Sequence, residues 1–112
     1  MRRSAEFSHT VKHGVRATQA DIVVHVCRTA ATDGAVPHVG FIVAKSVGSA
    51  VVRHRVARRL RHAARGVLGE LDPADRIVVR ALPTSREAES ARLDAQVHAG
   101  VRRAHALMDR RR

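Results

Sequence analysis

Lys45-Ser46-Val47-Gly48-Ser49-Ala50-Val51-Val52-Arg53-His54-Arg55-Val56-Ala57-Arg58-Arg59-Leu60-Arg61 turns a Gly-Ser corner and enters a helix with two unlike sides. Gly48 lets the chain bend, and Ser49 is placed to cap the first free N–H groups. Val52, Val56, Leu60, Ala63, Val67 and Leu71 then recur at steps of four and three. At about 100° per residue they fall within roughly one third of the circumference. His54, Arg58, Arg61 and Arg65 lie on the far side, with Arg55 and His62 beside them. Arg53 and Arg59 project toward the two edges of the apolar stripe. No acidic residue stands between Asp33 and Glu70. A solvated helix face normally mixes signs; an unrelieved cationic face calls for a polyanion, and the usual one is nucleic acid.

Outward from this helix the chain reads as short elements. Residues Ser4 to His13 predict a helix capped by Ser4, with Phe7 and Val11 on one face and Gly14 as its end. Asp21 to Arg28 and Val39 to Ala44 predict strands, rich in Val and Ile, with a turn at Thr32-Asp33-Gly34 between them. Asp72-Pro73-Ala74-Asp75 breaks the basic helix. Arg76 to Ala81 predicts a further strand, closed by Pro83. Ser90 to about Asp109 predicts a last helix on Leu93, Val97, Val101, Ala104 and Met108. Strand, basic helix and strand make a β-α-β unit with parallel strands, for which a right-handed crossover is the general rule. The sum is an α+β sandwich.

The chain has 112 residues, which suits one domain over 1–112. Apolar residues make up 45%, enough for a core, and with two Phe and no Tyr or Trp that core is aliphatic. Net charge is +11, and Lys12 and Lys45 are the only lysines; Arg offers a planar fork of donors that fits phosphate. Cys27 stands alone, which excludes an internal disulfide and any Cys-x-x-Cys metal site and suits a reducing cytoplasm. No run approaches the roughly 18 apolar residues of a membrane span. Met1-Arg2-Arg3-Ser4 has no apolar stretch behind it, so no signal peptide is expected. His9 and His13 are four apart on a helix, but no third ligand accompanies them, so no metal site is expected. The other histidines carry no readable signal. Arg102, Arg103 and Arg110 to Arg112 suit either electrostatic steering or a solvated helix end. No convergent carboxylates suit two-metal catalysis, and no nucleophile has a base at hand.

The basic run resembles the signature of the protein subunit of bacterial ribonuclease P, Lys-x-x-Gly-x-Ala-Val-x-Arg-Asn-Arg-x-x-Arg, here Lys45 to Arg58. Ser4-Ala5-Glu6-Phe7 with Val11-Lys12-His13-Gly14 looks like that family's opening helix. Val39 to Lys45 looks like its strand into the motif, and Val78-Val79-Arg80-Ala81 with Pro83 like its last strand. The resemblance implies the topology α-β-β-(β)-α-β-α, similar to the second domain of ribosomal protein S5, with a left-handed crossover through the basic helix in place of the usual hand. It implies a subunit without catalytic residues, working with a catalytic RNA whose holoenzyme requires Mg2+. That enzyme removes the 5′ leader of precursor tRNA by phosphodiester hydrolysis. It implies RNA-subunit binding through Lys45, Arg53, His54, Arg55, Arg58, Arg59, Arg61 and Arg65, and a leader cleft at Phe7, Val11, Lys12 and His25. His54 stands where the family has Asn, and Ala57 where it often has Lys; Arg59 is expected to restore that charge. Val11 and His25 stand where aromatic rings are common, so this cleft is expected to rely more on charge. The family's N-terminal extension looks short here. A cytoplasmic protein, monomeric when free, is expected. The alternatives are a structural ribosomal-type RNA-binding protein, which would share charge and size but not the whole motif between two strands, and a DNA-compacting protein or a stand-alone nuclease, both less well matched.

Overall fold

The computed structural model describes residues 3–30 and 33–111. Helix α1 (Arg3–His13) leads through Gly14 into strand β1 (Val15–Thr18), followed by β2 (Ile22–Arg28) and β3 (His38–Ile42). Helix α2 (Ala50–Val67), strand β4 (Asp75–Ala81) and helix α3 (Ser90–Arg110) complete the order. The four strands form one sheet in the order β1-β2-β4-β3. β1 and β4 flank β2 antiparallel, while β3 pairs with β4 in parallel. The β-α-β unit read around the basic helix is therefore present with parallel strands.

Alternation along the strands gives the sheet two unlike faces. One face carries Val15 and Ala17, Ile22, Val24 and Val26, and Ile77, Val79 and Ala81, and it packs with α2 and α3. Val56, Leu60, Ala63 and Val67 of α2 and Leu93, Val97, Val101 and Ala104 of α3 fill this core. Each fully buried Val or Leu there stabilises the fold by about 1.5–3 kcal/mol. A Cβ at Gly100 would come within 2.5 Å of Val24 Cγ2, so its absence is what lets α3 lie close on β2. The other face carries Arg16 and Thr18, Val23, His25 and Cys27, His38, Gly40 and Ile42, and Arg76, Val78 and Arg80, and α1 lies across part of it.

The helix ends follow their local chemistry. Ser49 Oγ accepts from Val52 N at 3.3 Å, the expected cap. Gly48 sits at φ 154°, ψ −161°, a region closed to residues with a Cβ, and a Cβ there would also press on Val52 at 3.0 Å. Asp21 joins the β1–β2 turn to α3: its N donates to Gln96 Oε1 at 2.8 Å and its carboxylate accepts from Gln96 Nε2 at 2.6 Å. Burial raises the pKa of Asp21, but hydrogen bonds from Gln96, Thr84 and Arg92, with the Arg92 charge, hold it below the usual carboxylate range.

Several boundaries differ from the sequence reading. α1 is Arg3–His13, so Ser4 lies within the helix and not before it. β3 is His38–Ile42, ending before Ala44 because a single 3₁₀ turn at Lys45–Val47 takes up the approach to α2. α2 ends at Val67; Leu71 packs against the core from beyond a second 3₁₀ turn, Leu68–Glu70. Strand β1 and the 3₁₀ segment Pro83–Glu87 were not read from the pattern. Asp33 and Gly34 form the expected turn, Gly34 at φ 74°, while Thr32 lies outside the described residues, as do Arg2 and Arg112.

Candidate nucleic-acid interface

Phe7, Phe41, Arg53, His54, Ala57 and Arg61 line a groove of about 530 Å³ between α1, β3 and α2. Its floor depends on Gly40: a Cβ there would fall 1.9 Å from Phe7 Cζ, so the Phe7 ring occupies the space a side chain would take. One wall is thus apolar and aromatic. The opposite wall is the cleft-side flank of α2, and it is cationic. Ala57 opens this wall where a longer side chain would narrow it.

The basic residues of α2 divide by position. His54, Arg58, Arg61, His62 and Arg65 are exposed, a continuous cationic ridge. Arg53, at one edge of the apolar stripe, is half-buried in the groove wall, and its Nε is buried with no hydrogen-bond partner. Arg59, at the other edge, donates from Nη1 to Ala88 O at 2.8 Å. Arg55 reaches Arg86 O at 3.5 Å, a weak contact, and its Nε is likewise unpartnered. Arg59 therefore braces the 83–88 segment as well as adding charge, a role set by a contact 29 residues away. Lys45 is exposed on the 3₁₀ turn before α2.

The residues read as a leader cleft do not all meet. Phe7 lines the groove; Val11 and Lys12, further along α1, are exposed. His25 lies on β2 at 2% exposure, on the sheet face that α1 crosses, and does not border the groove. Burial lowers its pKa, and the charges of Arg80 and Arg16 lower it further. The unfolded chain, with an ordinary value of about 6.5, binds more protons than the folded one just below that pH. The contribution of neutral His25 is thus complete above about pH 6.5 and is lost as pH falls through the window beneath it. Wild type is expected to lose stability relative to His25→Phe between about pH 7.5 and 5.5, measured by urea denaturation at each pH; a constant difference would show that His25 takes up its proton as readily in the folded protein as in the unfolded chain.

Three features carried no sequence signal. Glu6 of α1 meets His38 Nδ1 at 2.6 Å, and Arg76 Nε lies 3.2 Å from the same oxygen without hydrogen-bond alignment, fixing α1 to β3 and β4. Asp75 is fully buried between Arg28 and His105. Arg102 pairs with Glu70 at 3.0 Å. The His9 and His13 rings lie with centroids 4.8 Å apart at a tilt of 42°, and among the described residues no group of three or more His, Cys, Asp or Glu is arranged to hold a metal ion.

A profile of the ribonuclease P family, "Ribonuclease P", matches residues 1–105. The ribonuclease P protein component of Mycobacterium leprae (strain Br4923) is 59% identical over 103 residues, 91% of this chain and 86% of its own. An RNase P protein mutant from Staphylococcus aureus superposes with a TM-score of 0.81 at 20% identity, over 94% of this chain and 86% of that one. The RNase P protein from Thermotoga maritima gives 0.74 at 18% identity, over 88% and 91%. The two structures share the fold, and the sequence matches carry the kinship. The chain belongs to the bacterial ribonuclease P protein family, the non-catalytic protein subunit of an endoribonuclease that processes tRNA.

Proposed function

We propose that the α2 ridge docks on the catalytic RNA while the groove beside it holds the single-stranded 5′ leader of precursor tRNA. The observation that carries this is the state of Arg53 and Arg55. Each keeps a buried Nε with no hydrogen-bond partner among the described residues, on a helix that carries no Asp or Glu of its own. A buried unsatisfied donor on a charged group is costly, and phosphate oxygens would satisfy it. Lys45, His54, Arg58, Arg61 and Arg65 supply the surrounding charge, and Arg59 adds to it while bracing its neighbour. Phe7 offers the leader a ring for stacking, worth about 1–3 kcal/mol per base. Val11 and Lys12, exposed further along α1, extend the same strand path, whereas His25 is buried and lies off it. The Mg2+ of the holoenzyme is proposed to belong to the RNA, which performs the hydrolysis. The free protein is proposed to be a cytoplasmic monomer, its charge of +11 opposing self-association. Among the described residues no helix is long and apolar enough to cross a membrane.

The test is reconstitution at low magnesium with precursor tRNA, with and without the cognate catalytic RNA. Cleavage at the mature 5′ end is expected only when the RNA is present, with a gain in turnover on adding the protein. Cleavage by the protein alone would overturn the assignment of chemistry to the RNA.

A further inference from the structure

The 3₁₀ segment Pro83–Glu87 packs beside α2, where it is reached by Arg55 and Arg59, neither of which lines the groove. The segment is pinned at both ends and along its side. Leu82 N donates to Asp21 O at 2.8 Å, Arg59 Nη1 donates to Ala88 O at 2.8 Å, and the turn Lys45–Val47 packs against it. Within it, the fully buried Ser85 donates from Oγ to Leu82 O at 2.6 Å. A segment held in this way presents a surface side chain at little ordering cost when a partner arrives. That side chain is Arg86. It is exposed, and among the described residues it has no ion-pair partner, although Glu87 and Glu89 stand close in the chain. Arg55 Nη2 lies 3.5 Å from Arg86 O, so two arginines 31 residues apart meet at the surface. Lys45 on the packed turn and Arg58 on α2, both exposed, continue the charge into the ridge.

We propose that Arg55 and Arg86 clamp one phosphodiester of the catalytic RNA, so that the docking surface runs past the α2 ridge onto the segment Pro83–Glu87. This rests on the docking role given to α2 and adds a second structural element to it. Each guanidinium presents a planar fork of donors that fits phosphate oxygens. Two forks that converge from different elements fix the orientation of the anion as well as its position. The weak contact of Arg55 with the Arg86 carbonyl leaves its outer donors free to turn to a phosphate at little loss. Glu87 and Glu89 are exposed just beyond Arg86. Their carboxylates repel phosphate and mark where the RNA contact ends.

The experiment measures binding of the full-length protein to its cognate catalytic RNA at physiological salt. Arg86→Gln is expected to lose about tenfold affinity, the value of one charge-assisted hydrogen bond. Arg103→Gln removes an equally exposed charge from α3 and is expected to leave affinity unchanged. The double variant Arg55→Gln with Arg86→Gln is expected to lose less than the product of the two single losses, because the pair serves one anion. Its log–log salt dependence is expected to flatten by about one unit. Glu87→Gln is expected to tighten binding. Arg86 is exposed and pairs with no carboxylate among the described residues, so thermal unfolding of Arg86→Gln is expected to match wild type. Equal affinities for Arg86→Gln and Arg103→Gln would overturn the proposal. Independent losses at Arg55 and Arg86, with a slope change of about two units, would also overturn it by placing them on separate phosphates. If Arg58→Glu with Arg61→Glu likewise left binding intact, the docking role of α2 beneath the proposal would fall instead.

Discussion

Asp75→Ala is expected to remove about 3–5 kcal/mol of stability, the usual cost of breaking a buried charge pair by deleting one partner. Against a total of about 5–15 kcal/mol for a domain, that is a large part of the margin. Asp75 opens β4 and is fully buried. Its Oδ1 accepts from Arg28 Nε at 2.8 Å; its Oδ2 lies 2.8 Å from His105 Nε2 and accepts from Asp72 N at 2.9 Å. One carboxylate thus joins the end of β2, the body of α3 and the turn that stops α2. The hydrogen bond to Asp75 raises the Arg28 guanidinium above its already high pKa, with burial working against it. Alanine would leave that guanidinium three-quarters buried without a counter-charge, and the Asp72 N–H without an acceptor. Asp75→Asn keeps one acceptor and the shape, so it is expected to cost about half as much. Urea denaturation of the three proteins checks the order. A loss below about 1 kcal/mol for the alanine variant would mean that water replaces the carboxylate at this junction.

The same residue shows where sequence reading stops. Asp72-Pro73-Ala74-Asp75 was legible as a helix breaker, because that depends on neighbours in the chain. The partners of Asp75 lie 47 and 30 residues away, and nothing local in His105 announced its role. α2 was legible in register and cap, since Ser49, Val56, Leu60 and Val67 obey a strong period. β1 was not read, although Val15 and Ala17 point in and Arg16 and Thr18 point out. Four residues are too short for alternation to stand out, and pairing with β2 supplies what the pattern lacks. In the site, the cationic ridge was legible because opposite charge is missing from the sequence itself. The brace of Arg59 on Ala88 and the depth of His25 were not, since both depend on how distant segments cover them.

Arg58→Glu with Arg61→Glu is expected to lower affinity for the catalytic RNA by about a hundredfold or more. Both side chains are exposed on the ridge, so the substitutions take away two cations that meet phosphate and put repulsion in their place. The log–log dependence of binding on salt is expected to flatten by about two units, one for each phosphate that the protein no longer neutralises. Thermal unfolding is expected to stay near wild type, because neither arginine has an ion-pair partner among the described residues and the buried stripe of α2 is untouched. Net charge alone would also weaken binding, so the control is Arg103→Glu with Arg110→Glu. These exposed residues on α3 change the total by the same amount. Long-range steering is screened beyond about 10 Å at moderate salt, so the control is expected to slow association at low salt and to matter little near physiological salt. Direct docking through α2 survives that screening and appears in the dissociation rate. Equal losses for the two pairs at physiological salt would mean that the RNA senses the whole positive field of the protein and not the ridge.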